Sequence, residues 1–223
     1  MPAAGGRRLE GDLTVPAAAR GAVCFAHGSG SGRYSPRNRF VAAALNEAGS
    51  ATLLLDLLTE DEEAAEQAGG MLRFDAGLLA ERLGAAVDRL RRDERTGGLP
   101  LGLFGASTGA GAALLLAAER QDDVAAVVSR GGRPDLAGAA LDSVRAPTLL
   151  IVGGRDRHVL DLNRAALERL PGVAELVVVP GATHLFEEPG ALEEVARLAA
   201  AWCGRWLDRA RAAAPPPGRD SRP

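Results

Sequence analysis

Short runs of apolar residues, each too brief for a helix, punctuate the chain: AVCFA (22–26), ATLLLDL (51–57), PLGLFGA (100–106), VAAVVSR (124–130), PTLLIVGG (147–154) and AELVVVP (174–180). Their Val, Leu and Ile residues are not interleaved with polar ones, so each run reads as a strand buried on both faces. Between the runs, apolar positions recur three and four residues apart, which predicts helices over 37–48, 74–92, 108–120, 160–170 and 189–209. Ser35-Pro36 is a start signal for the first helix and Gly49 its stop. Segment 59–70 is acidic and reads as a loop or weak helix, and 135–145 as a short helical or irregular link. This alternation predicts the α/β class: a mostly parallel sheet flanked by helices on both faces, with no internal repeat and no cap domain. Right-handed crossovers bring the loops that follow strands to one edge, where such sheets bind ligands. Residues that carry chemistry are therefore expected just after strands.

A chain of 223 residues suits one such domain, expected over 9–209. The small and polar residues 1–8 and the Pro-rich tail 210–223 are expected to be disordered. Net charge is −3, which gives no electrostatic case for nucleic acid. All 26 basic residues are Arg, so lysine Schiff-base chemistry and a Walker-type phosphate lysine are excluded. Cys24 and Cys203 form neither a CxxC pair nor a disulfide framework, and Cys24 lies inside an apolar run, as a core residue does. The opening MPAAGGRRLEGDL lacks an apolar signal core, and no apolar run approaches a membrane span, so a cytoplasmic location without membrane association is expected. No metal and no cofactor are expected.

LFGASTGAG (103–111) places Ser107 between a strand and a helix, with glycines two residues to either side. GASTG fits G-x-S-x-G, an elbow that exposes a nucleophilic serine, although a bare match also describes a Gly-rich turn. A serine hydroxyl needs a base, and the base an orienting acid. His184 in PGATHLF follows the last predicted strand, and Asp156 in VGGRD follows the strand before it. The order Ser107, Asp156, His184 puts each at a strand's carboxyl end, so all three can converge on one edge. Asp156 also reads as a turn residue or helix cap, and His158 as a rim residue. HGSGSGR (27–33) follows the first strand, lacks the Gly-Lys-Ser/Thr ending of a phosphate loop and carries Arg33 where a third glycine would stand. It reads instead as a loop of backbone donors for an oxyanion. The expected donors are the N–H groups of Thr108 and Ser29, with Gly30 as the alternative to Ser29 and His27 as a structural brace.

With HGSGSG, GASTG, GGRD and PGATH in this order, the chain resembles the α/β-hydrolase superfamily over roughly residues 20–208. Within it, the chain is most similar to the small lidless branch related to dienelactone hydrolases. The resemblance implies Ser107 as nucleophile, Asp156 as acid and His184 as base. Dienelactone hydrolases proper use cysteine where this chain has Ser107, which favours hydrolysis of carboxylic esters, lactones or thioesters over dienelactones. Relatives of this type also occur joined to phosphoribosyltransferase domains. A binding module that keeps the fold without catalysis, and an acyltransferase or thioesterase with the same residues, are the rival readings. Gly30, Arg33, Arg130 and Arg133 fall near strand ends and are the candidate substrate contacts, since Arg forks suit carboxylate or phosphate. The expected partner is a small ester-type molecule.

Overall fold

The computed structural model describes residues 1–3 and 7–214. Seven strands form one sheet: β1 (Gly11–Thr14), β2 (Gly21–Ala26), β3 (Ser50–Leu55), β4 (Leu101–Ala106), β5 (Val124–Arg130), β6 (Thr148–Gly153) and β7 (Ala174–Val179). Six α-helices accompany them: α1 (Pro36–Glu47), α2 (Glu60–Gln67), α3 (Ala76–Arg92), α4 (Thr108–Glu119), α5 (Arg157–Arg169) and α6 (Ala191–Ala213). The strand order is β1-β3-β2-β4-β5-β6-β7, with every neighbouring pair parallel except β1 against β3. The chain steps from β2 to β3 on one side and then crosses to β4 on the other. The loops that leave β2 and β4 therefore diverge, which opens a crevice between their carboxyl ends.

Both faces of the sheet are covered. Ala22, Cys24, Leu101 and Leu103 point into a layer with Leu79, Leu83, Leu114 and Leu116 of α3 and α4. Val23, Phe25 and Phe104 point the other way, against Val41 of α1 and Trp202 of α6. Phe25 and Phe104 stack at 4.7 Å across the strand pair. Cys24 and Cys203 are both free and buried, and burial pushes each thiol up to about 12. These thiols are small apolar core residues rather than nucleophiles.

Three differences from the sequence reading have physical causes. Strand β1 was not expected, because GDLT is short and its side chains are mostly exposed. A short, exposed edge strand carries no apolar run. The acidic segment does form a helix, α2, because Thr59 and Glu62 make a reciprocal capping box and the first turn holds four acidic residues. Of the ends expected to be disordered, Pro2–Ala3 pairs with Arg7–Arg8 in a short antiparallel ladder, and α6 runs on to Ala213. The Pro-rich remainder, 215–223, lies outside the described residues. No helix among the described residues is long and apolar enough to cross a membrane.

Candidate active site

Ser107 sits in the single-residue joint between β4 and α4 with φ 50° and ψ −120°. Only it and Phe186, among the described residues, hold a positive φ without being glycine. Such a conformation costs on the order of 1–3 kcal/mol and persists only where the surroundings over-determine it. The flanking glycines make the joint possible. A Cβ at Gly105 would lie 2.4 Å from Ala110 Cα, and one at Gly109 2.3 Å from Ala26 O. Gly28 approaches from the β2 loop so closely that a Cβ there would lie 2.9 Å from Ser107 Cβ. Ser107 occupies the cap position of α4 without making a side-chain cap bond, so its hydroxyl is not committed to the helix.

Asp156 and His184 lie on loops that are fastened together. Arg155 N–H donates to Ala182 O at 2.9 Å, Gly154 N–H donates to Val179 O at 2.9 Å, and a Cβ at Gly153 would come within 2.5 Å of Ala182 O. The Asp156 carboxylate Oδ2 stands 2.6 Å from His184 Nδ1. Asp156 is the residue before α5 yet makes no cap bond; its carboxylate goes to the imidazole instead. With Asp156 ionised, the proton between them lies on Nδ1, which leaves Nε2 as the basic nitrogen. Two features beside His184 had no sequence signal. Glu188 accepts the Thr183 N–H on both carboxylate oxygens at 3.1 Å, and these bonds hold its carboxyl below the ordinary range. Phe186 is 1% exposed and anchors the loop in the α1–α6 layer.

Ser107 and His184 approach the same short segment, 130–132. Ser107 N–H donates to Arg130 O at 3.1 Å, and a Cβ on Gly131 would stand 3.4 Å from His184 Nδ1. His158 is exposed on the first turn of α5.

The donor loop differs in detail from expectation. Thr108 is the first residue of α4, where backbone N–H groups have no intrahelical acceptor. Ser29 N–H, expected to be a free donor, is bonded to Thr108 Oγ1 at 3.1 Å. The reason is steric: Gly28 presses the loop onto the elbow and so delivers Ser29 to the threonine hydroxyl. Gly30, the alternative, is exposed at φ 70°. His27 braces the loop. Its Nε2 accepts the Leu57 N–H at 2.9 Å, its Nδ1 donates to Gly28 O at 2.9 Å, and burial pulls its pKa below the ordinary histidine value.

The arginines separate into two kinds. Arg33 pairs with Asp56 and contacts Tyr34 Oη at 2.7 Å, while Arg133 pairs with Asp135 at 2.6 Å. Both are neutralised within the protein. Arg130 is buried, its Nε and Nη1 have no hydrogen-bond partner among the described residues, and burial, followed by the charge of Arg37, pushes it down to about 10. A small pocket beside Ser29 and Thr108 has Leu58 and Leu79 in its wall. A larger cleft of about 1080 Å³ lies elsewhere, between Arg33, Tyr34, Asp56 and Thr59, and includes none of Ser107, Asp156 and His184. Among the described residues, no group of three or more His, Cys, Asp or Glu could hold a metal ion.

The model of the dienelactone hydrolase family matches residues 33–209. A dienelactone hydrolase from Anabaena variabilis, of known crystal structure, is 57% identical, with a TM-score of 0.89 over 92% of this chain and 95% of that one. Est1E from Butyrivibrio proteoclasticus shares the fold at 18% identity, with a TM-score of 0.76 over 91% of this chain and 96% of that one. Two Mycobacterium tuberculosis proteins, from strains CDC 1551 and H37Rv, carry the name "Putative phosphoribosyl transferase" and are 60% identical over 194 residues. That match takes in 87% of this chain but 43% of theirs, so the chain spans less than half the length of these relatives.

Proposed function

Because the chain belongs to the dienelactone hydrolase family, we propose that it is a serine hydrolase that cleaves small carboxylic esters, lactones or thioesters through an acyl-enzyme on Ser107. The observation that carries this reading is the 2.6 Å contact between Asp156 and His184, with a serine on a strained elbow bonded to the same 130–131 segment that lies against the imidazole. Asp156 fixes the imidazole with Nε2 unprotonated. His184 Nε2 then takes the Ser107 proton as Oγ attacks the acyl carbon, and the carbonyl oxygen becomes an oxyanion. Thr108 N–H stabilises that charge, and the second donor comes from the 28–30 loop, where Ser29 N–H exchanges the Thr108 hydroxyl for the oxyanion. His184 returns the proton to the leaving alcohol, and water, activated by the same nitrogen, releases the acid.

A serine in the nucleophile position favours esters over dienelactones. Two buried, free thiols fit a reducing cytoplasm. On this reading, the transferase name of the longer relatives belongs to the part of those proteins that this chain does not match. Labelling with a fluorophosphonate probe tests the reading against a binding module: Ser107 is modified, and His184→Ala abolishes the modification. Ser107→Ala lowers turnover of p-nitrophenyl butyrate by about 10⁶-fold if the three residues act as a unit. Unchanged turnover in that variant would refute the mechanism, and product partition between water and added acceptors separates hydrolase from acyltransferase.

A further inference from the structure

We propose that residues 130–133 form a peptide bridge that holds Ser107 in alignment with His184, and that Asn163 is the positioning residue that latches this bridge. The inference rests on the hydrolase reading above. Ser107 is gripped through both of its backbone polar groups by two peptide planes of this segment. In the Arg130–Gly131 peptide, the carbonyl accepts the Ser107 N–H at 3.1 Å while the Gly131 N–H donates to Ile151 O at 2.7 Å. In the Gly132–Arg133 peptide, the Arg133 N–H donates to Ser107 O at 3.0 Å while the Gly132 carbonyl accepts from Asn163 Nδ2 at 2.9 Å. A peptide unit is planar and stiff. Each one therefore transmits the position of its far anchor, in β6 or α5, to the serine. These anchors are the two elements that flank Asp156.

The bridge also touches the base. Gly131 holds φ 51°, and a Cβ on it would stand 3.3 Å from His184 O and 3.4 Å from Nδ1. A Cβ on Gly132 would collide with Ser129 Oγ at 2.0 Å and Ala110 Cβ at 2.6 Å, while Gly131 is favoured by its left-handed φ. Asn163 is fully buried and spends its second N–H on Val159 O at 2.8 Å, which fixes its rotamer. The Ser107 backbone is strained, and this set of bonds is what over-determines it.

Asn163→Leu keeps much of the side-chain volume but has no donor. In the full chain it should melt cooperatively and bind p-nitrophenyl butyrate with KM within about twofold of wild type. Its kcat and fluorophosphonate labelling rate should fall by about 10²-fold, the loss expected for an ångström of misplacement. The downfield Nδ1–H resonance of His184 should shift or broaden. Ala166→Gly, on the same helix but away from the bridge, should lower the melting temperature and keep kcat. Turnover within twofold of wild type in folded Asn163→Leu, or parallel loss of kcat in Ala166→Gly, overturns the proposal. If the leucine variant does not fold, amide exchange in the unaltered protein decides: Ser107 and Arg133 N–H groups should exchange as slowly as the core of β5, and loop-like exchange overturns the proposal. An unaltered protein that neither labels nor hydrolyses esters would sink the hydrolase reading, while the resonance and the exchange rates still report on the bridge.

Discussion

The elbow at 105–109 and the donor loop at 27–33 have similar compositions, and they use their glycines differently. In the elbow, a Cβ at Gly105 would meet the first turn of α4 at 2.4 Å, and one at Gly109 would meet the end of β2 at 2.3 Å. In the donor loop, Gly28 is likewise pressed against the elbow, but Gly30 has nothing within 4 Å and is needed only for its positive φ. A Cβ at Gly32 would also be crowded, 2.6 Å from Asp56 Oδ1, so crowding shapes the whole elbow but only part of the donor loop, where Gly30 answers to turn geometry instead. Crowding fixes a side chain in three dimensions; a turn preference leaves the segment free to settle against whichever partner is near. Ser29, next to the crowded Gly28, is held on Thr108 Oγ1 because that glycine presses the loop onto the elbow.

Substitution can break or sharpen this contrast. Gly109→Ala forces a Cβ against two main-chain carbonyls that cannot turn aside. It should cost about 4 kcal/mol or more in chemical unfolding, and a loss under about 1 kcal/mol would end the crowding argument. His27→Ala removes two buried bonds, one from the Leu57 N–H and one to the Gly28 carbonyl, and should cost about 2 kcal/mol. It should also change the pH dependence. Burial depresses the pKa of His27, so the unfolded chain binds a proton there more readily than the folded one. This contribution is fully present above the ordinary histidine pKa of about 6.5 and declines as pH falls through the folded value. The slope of melting temperature against pH below neutrality should therefore flatten in the variant. Gly30→Ala meets open space and only the left-handed backbone, so about 1 kcal/mol is expected, with turnover retained. An effect as large as that of Gly109→Ala would put the two regions in one class.

The same distinction explains what could be read from the residues. The order of strands and helices, and the placement of Ser107, Asp156 and His184 after β4, β6 and β7, follow from apolar runs and from glycines with a local cause. What escaped were bonds between a side chain and distant backbone. Asn163 reaches Gly132 across 31 positions, and Glu188 doubles back to Thr183. Neither leaves a periodic trace. Arg33, Arg130 and Arg133 are alike as letters. Whether an acidic neighbour neutralises each one depends on folding, which pairs two of them and buries the third with Nε and Nη1 lacking a partner among the described residues. Strand β1 escaped because an exposed edge needs few apolar residues.

The fastening of Arg155 to Ala182 has a practical corollary for anyone rebuilding this protein. The turns after β6 and β7 form one mechanical part: a segment grafted at 153–157 from another scaffold must arrive with its counterpart at 180–188, or carboxylate and imidazole lose their shared frame. Diversity is easier to introduce at Gly30, which is exposed and where a new side chain would meet nothing within 4 Å.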